Sequence, residues 1–289
     1  DPSVYDKGYL HPDVLVVGSG MSGLVCALQL ANAGKTVVLM DERAQLGGRL
    51  RYSADVENQV WLDALIHEVS VHPRIQCLKW TVVFGSYDHG GCGAVSRNTE
   101  HRAAEAGVLP KQTYWTISTQ HTVIATGALT RGIAFPNNDR PGILLLNALE
   151  AYAGFYGVLS DASIVLLISH DEARQAALRL HALGLRIEAV IDTRSGVESL
   201  TEMPYFTGAE IVNTRGRCGL TAVQVRFADG VKRWIQTDYL GVSGGYNPTI
   251  QLTCHQGAKP VWVASRAVFC ASDNRPKDQW CVGAAAAAF

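Results

Sequence analysis

Three glycines at the spacing Gly18-x-Gly20-x-x-Gly23 follow the apolar run Val14-Leu15-Val16-Val17, and an acid, Asp41, closes the next apolar run, Thr36-Val37-Val38-Leu39-Met40. This spacing suits the binding of an adenine dinucleotide. The first glycine permits a tight turn, the second lets the backbone approach a pyrophosphate, and the third lets a helix pack closely on a strand. The N–H groups and dipole at the start of that helix attract phosphate charge. Asp41 can accept hydrogen bonds from an adenosine ribose, and a carboxylate there disfavours a 2′-phosphate. NAD, FAD or ATP is therefore favoured over NADP, with Arg43 close by as a counterweight.

Other reactive side chains carry less. Ser169-His170-Asp171 holds the residue types of a hydrolase triad, but sequence neighbours cannot converge on one another as a triad requires. Gly241-Val242-Ser243-Gly244-Gly245 fits a nucleophile elbow, yet Asn247-Pro248 stands where a helix is needed and no acid lies between Ser243 and His255. The nine histidines show no metal-ligand spacing, so no metal is assigned. Seven cysteines, an odd count without a Cys-x-x-Cys pair, argue against a disulfide framework or a zinc site and point to a reducing cytoplasm. No general acid, base or nucleophile emerges, so the catalytic set is empty.

The glycine turn needs a frame, and the pattern supplies one. Val14–Val17 reads as a strand buried on both faces. Leu24, Ala27, Leu28, Leu30 and Ala31 then mark a helix that Gly34 ends. With the strand 36–40 they make one βαβ unit. A helix is expected over 57–72, a strand at 81–84, an antiparallel meander over 92–121 and a strand running into Gly127. Leu144 to Tyr156 looks helical. A second βαβ unit has strands at 163–168 and 187–191 around a helix at 171–183. No glycine stands between Ile168 and Leu183; Asp171 and Glu172 read as helix caps that would repel a pyrophosphate. This unit is expected to keep the fold and to have lost the nucleotide. Residues 209–239 alternate like strands.

Composition narrows the function classes. With 25 basic and 26 acidic residues among 289, the net charge of −1 gives no electrostatic case for nucleic acid or an anionic membrane. The apolar runs are too short to cross a bilayer, and the polar start, Asp1 to His11, has no signal-peptide core. A cytoplasmic location follows as an expectation. A start at Asp1 and an alanine run before Phe289 suggest a piece of a longer chain.

Several stretches together resemble the α subunit of heterotetrameric sarcosine oxidase, with relatives in dye-linked proline dehydrogenase and in opine- and cyanide-forming oxidase complexes. They are Tyr5-Asp6-Lys7, the glycine turn, Asp41-Glu42-Arg43 with Gly47-Gly48, residues 81–88, Val123-Ile124-Ala125-Thr126-Gly127-Ala128, residues 135–142 and residues 242–248. The loop Phe135-Pro136-Asn137-Asn138-Asp139-Arg140-Pro141-Gly142 is the most specific, because dinucleotide folds in general do not share it.

The resemblance implies an α/β fold of two Rossmann-like dinucleotide-binding domains similar to glutathione reductase. The first would span 12–158 plus 246–289, and the second, 159–245, would be inserted in it. It implies NAD in the first domain, where related enzymes hold FAD and proline-dehydrogenase relatives can hold ATP. It also implies FMN at an interface with a flavin-containing β subunit, and smaller partner subunits. The assembly would convert sarcosine, O2 and water to glycine, formaldehyde and hydrogen peroxide. The nucleotide set becomes Gly18, Gly20, Ser22, Gly23, Asp41, Glu42, Arg43, Gly48, Arg49, Val83, Ala125, Thr126, Gly127, Ala284 and Phe289. Arg49 stands where a smaller residue is usual, and Ala287 where glycine is expected. The alternatives are a self-sufficient FAD/NAD(P)H reductase, a structural or ATP-binding subunit of a dye-linked proline dehydrogenase, and a nucleotide-sensing or structural module.

Overall fold

The computed structural model describes residues 3–52, 56–99, 109–159 and 161–289. They form two compact units: Asp1–Arg51, Glu57–Ala128 and Pro248–Phe289 in the first, and Tyr52–Val56 with Leu129–Asn247 in the second.

In the first unit, five parallel strands lie in the order Gln279–Cys281, His121–Ile124, Val14–Val17, Val37–Met40 and Ile75–Leu78. The two strands flanking the glycine helix are buried at every residue, as their unbroken apolar runs require. Alternation along Val14–Val17 splits the core. Val14 and Val16 pack with Leu24 and Ala27 of the helix Met21–Asn32 and with Leu62 and Val69 of the helix Val56–Val71. Leu15 and Val17 face Cys92, Ala94 and Ile117. These belong to a second sheet, ordered Tyr5–Leu10, Gln112–Ser118, Gly91–Arg97 and Thr81–Tyr87, with its last three strands antiparallel. The expected meander over 92–121 has these strands at its ends; residues 100–108 lie outside the described ones.

The second unit repeats the plan. Its parallel sheet runs Ile143–Leu145, Tyr239–Ser243, Ser163–Ile168, Arg186–Asp192 and Tyr205–Thr207. The helix Asp171–Ala182 covers one face. The antiparallel strands Glu210–Arg215, Ala222–Arg226 and Lys232–Gln236 cover the other.

The structure corrects the sequence reading in two linked places. Ile143–Leu145 is a strand, Leu146–Glu150 an α-helix and Ala151–Phe155 a wider π-helical turn, where one helix over 144–156 was expected. Because that strand pairs with Tyr239–Ser243, and Leu146 and Leu149 fill the core beside Leu166 and Leu180, residues 129–158 belong to the second unit rather than the first.

Candidate nucleotide site

The three glycines of the turn have three different physical reasons. Gly18 has a φ of +100°, and a side chain there would collide with the Ala125 carbonyl. Gly23 lies so close to the Gly18 carbonyl that a β-carbon would overlap its oxygen. At Gly20 a β-carbon would meet no atom within 4 Å. The turn is therefore held by its outer glycines and left open at the middle one.

Gly20 also caps the helix without a side-chain bond, and the first turn carries no acid. The first intrahelical bond runs from Leu24 N–H to the Gly20 carbonyl (2.9 Å), so the N–H groups of Met21, Ser22 and Gly23 precede the helical ladder. This bare, uncapped start suits a pyrophosphate. Neighbouring backbone walls the site. Gly47 N–H donates to the Ser19 carbonyl (2.8 Å), and a β-carbon on Gly48 would come within 2.8 Å of Gly20 Cα. At the chain's end, Gly283 abuts Ser22: a β-carbon there would overlap Ser22 Oγ. Ala284 follows in the short turn Gly283–Ala286, and Ala287 ends that turn in the left-handed region (φ 58°, ψ 28°).

The acid at the strand end has a task within the fold itself. Asp41 Oδ2 accepts from Ser19 N–H (2.7 Å) and from Ser19 Oγ–H (2.6 Å), and Oδ1 accepts from Arg43 N–H (2.9 Å). It braces the glycine turn. The next residue, Glu42, is exposed and makes no bond among the described residues. Ser19 went unassigned in the sequence; a hydroxyl between two turn glycines, one turn away from an acid on the neighbouring strand, was its only signal.

The remaining candidates divide. Ala125 contacts the turn directly: its N–H donates to the Val17 carbonyl (2.8 Å) and its own carbonyl faces Gly18. Thr126 spends its hydroxyl on the Thr249 carbonyl, and the Gly127 carbonyl accepts from Thr249 N–H (3.0 Å), so these two fix the strand's exit. Val83 packs against the core cluster that holds Val17 and Met40, on a strand started by the bond from Thr81 N–H to the Asp41 carbonyl (2.8 Å). Arg43, Arg49 and Phe289 are exposed.

The corresponding edge of the second unit is laced with side chains. His170 Nε2 and Ser243 Oγ lie 2.7 Å apart across the carboxyl ends of neighbouring strands. The two motifs set aside as hydrolase-like thus meet, but Ser243 is buried and the Asp171 carboxylate is bonded to Arg194 (2.9 Å). Asp171 and Glu172 lie in the helix's first turn and are not caps; His170 holds the cap position without a side-chain bond. Behind them, fully buried Asp192 accepts from Arg194 Nη2 (2.8 Å) and from Tyr205 Oη (2.5 Å). Burial opposes ionisation of Asp192, but the bonds from Arg194 and Tyr205 outweigh it and hold the carboxyl below its ordinary range. Burial and the adjoining carboxylate push Tyr205 up to about 12. Among the described residues, no group of three His, Cys, Asp or Glu side chains is placed to hold a metal ion, and no helix is long and apolar enough to cross a membrane.

Known proteins share this arrangement. The profile of the NAD(P)-binding Rossmann-like domain matches residues 16–75, the span from glycine turn to third strand. The α subunit of sarcosine oxidase from Rhizobium meliloti is 34% identical over 99% of this chain, and that from Corynebacterium sp. strain P-1 is 36% identical over 92%. A hydrogen cyanide synthase subunit of Pseudomonas protegens is 27% identical over 62% of the chain and 38% of its own length. Among solved structures, L-proline dehydrogenase of P. horikoshii superposes with a TM-score of 0.72 at 18% identity, covering 97% of this chain and 52% of that one. Thioredoxin reductase of T. acidophilum gives 0.71 at 15%, covering 95% and 90%. These two establish the pair of Rossmann-like units as the fold. The chain spans about 30% of the length of the sarcosine oxidase α subunits it matches. Along nearly its whole length, this chain is a homologue of one segment of the sarcosine oxidase α subunits.

Proposed function

We propose that this chain is the nucleotide-holding portion of the α subunit of a heteromeric amine oxidoreductase of the sarcosine oxidase type. The single observation that carries the reading is the open middle glycine: Gly20 presents bare backbone at an uncapped helix start, while Gly18 and Gly23 are locked by contact. Pyrophosphate sits over Gly20 and the N–H groups of Met21 to Gly23, Glu42 takes the adenosine ribose, and Gly48, Ser22 and Ala284 line the remainder. The nucleotide is NAD, bound as a fixed constituent rather than as the redox centre. FMN at an interface with a flavin-containing β subunit serves electron transfer, and the assembly oxidises sarcosine to glycine and formaldehyde with release of hydrogen peroxide. The seven free thiols suit a cytoplasmic assembly.

The second unit contributes scaffold. Its glycine-free turn and the Asp171–Arg194–Asp192 chain occupy the edge where a reductase would hold NAD(P)H, which disfavours a self-sufficient flavoprotein. Mass spectrometry of the ligand released from denatured protein tests the assignment. NAD supports it; FAD or ATP moves the chain to the reductase or the proline-dehydrogenase reading; no nucleotide, with no NAD binding by calorimetry, removes the site.

A further inference from the structure

The second unit has a cleft of about 440 Å3 beside the last strand of its parallel sheet, in the size range that holds a small molecule. Its floor is aromatic. The rings of Phe206 and Phe227, both half-buried, meet edge to face with centroids 4.9 Å apart. They pack against the core between the parallel and the antiparallel sheet. The strand Tyr205–Thr207 ends its sheet, and no strand pairs with its outer side. The Pro204 carbonyl accepts from Val190 N–H, and Gly208 N–H donates to the Arg194 carbonyl, both at 2.8 Å. A parallel ladder alternates residue by residue. Phe206 therefore bonds inward as well, and the N–H and C=O groups of Tyr205 and Thr207 face the cleft.

Two charges line the same cleft. Arg233 stands opposite Val225, a fully buried core residue, and two positions before Ile235, which packs on that core. Its register puts it on the core side of an edge strand. The guanidinium lies 5.7 Å from the centre of the Phe227 ring, and among the described residues it has no carboxylate partner. Asp229 sits in the turn between the strands Ala222–Arg226 and Lys232–Gln236. Its Oδ1 accepts from Val231 N–H (2.9 Å), and among the described residues it has no cationic partner, which leaves Oδ2.

We propose that this cleft binds a free α-amino acid with an aromatic side chain. The carboxylate meets Arg233 and the outward N–H groups of the edge strand, the ammonium meets Asp229, and the ring lies on Phe206 and Phe227. Asp229 disfavours a simple anion and Arg233 a simple cation, whereas a zwitterion satisfies both. Glycine and sarcosine bring no ring to the aromatic floor and are poor ligands. Every residue involved lies in the second unit, so the site stands whether or not NAD binds the first.

The test uses the full chain, with binding read by calorimetric titration and by amide shifts in NMR spectra. The probes are L-phenylalanine, phenethylamine without the carboxylate, 3-phenylpropionate without the ammonium, and glycine without the ring. The expected result is saturable binding of L-phenylalanine with shifts at the Tyr205 and Thr207 amides, and about tenfold weaker binding of each fragment. Arg233→Gln should erase the preference for L-phenylalanine over phenethylamine. Asp229→Asn should erase the preference over 3-phenylpropionate. Both side chains are exposed, so both variants should melt with the parent. No saturable binding of L-phenylalanine, equal affinity for all four probes, or variants that weaken every probe alike overturns the proposal. So does an Arg233→Gln protein that aggregates with its ligand preferences intact, because an inward charge on an edge strand would then serve only to block pairing with another chain.

Discussion

Gly20 and Gly23 belong to one turn, yet replacing each with alanine should produce opposite phenotypes. At Gly23 the new methyl meets backbone that cannot move aside, so the loss appears as stability, about 1–3 kcal/mol by denaturant titration. At Gly20 the methyl has space in the protein and none once phosphate arrives. Thermal stability without ligand should be unchanged, while NAD affinity falls at least about tenfold, or about 1.4 kcal/mol. Equal stability losses in both variants would refute the division of roles. The same contrast separates the two acids. Asp41→Ala removes three hydrogen bonds that hold the turn and should cost about 1–3 kcal/mol of folding stability. Glu42→Gln should leave the unfolding curve in place and weaken NAD binding alone. Ala287 offers a third case. An L-residue in the left-handed region costs about 1–2 kcal/mol, and glycine's greater freedom in the unfolded chain returns part of that. Ala287→Gly should therefore raise the melting temperature, where an alanine-to-glycine change ordinarily lowers it. The glycine roles were legible in sequence because each is a demand on backbone. The Asp41 role was not, because spacing places a carboxylate beside the turn without saying which hydrogen-bond donor reaches it first.

At the scale of elements, the second unit shows how a crevice of this fold can be closed. Where the first unit begins its helix with bare glycine, the second begins with His170 and Asp171, and the next strand's end supplies Arg194 as the counter-charge of Asp171. Asp192 is the fixed point. Its carboxyl is held below its ordinary range, so it contributes stability above the unfolded-state value near 4, and that contribution is lost as pH falls through the lower folded value. Asp192→Asn should be destabilised by about 3 kcal/mol at neutral pH, since Arg194 keeps only Asp171. Below about pH 4 its stability should fall less steeply than that of the parent. Urea titrations at both pH values check this, and parallel slopes would count against it. The strands and helices of both βαβ units were readable because a buried strand and an amphipathic helix leave different periods. The strand Ile143–Leu145 was not, because Ile-Leu-Leu-Leu satisfies either period and only its pairing with Tyr239–Ser243 decides.

That undecided strand is also why the unit boundary was misplaced, and at the scale of the whole molecule the boundary matters for measurement. Every core cluster draws its residues from one unit alone: two clusters fill the first and two the second. Each unit therefore has its own buried apolar contacts to lose on unfolding, and calorimetry should resolve two transitions. A ligand that binds one native unit stabilises that unit alone, by about 2.7 kcal/mol at a hundred times its dissociation constant. For a unit of this size that displaces its transition by about 5–10 °C. Saturating NAD should move one transition by this amount and leave the other in place. Gly20→Ala should remove the displacement, and Asp192→Asn should lower only the transition that NAD does not move. If NAD shifts both transitions together, the closed edge of the second unit is not closed to nucleotide, and the asymmetry between Gly20 and Asp171 would need another cause.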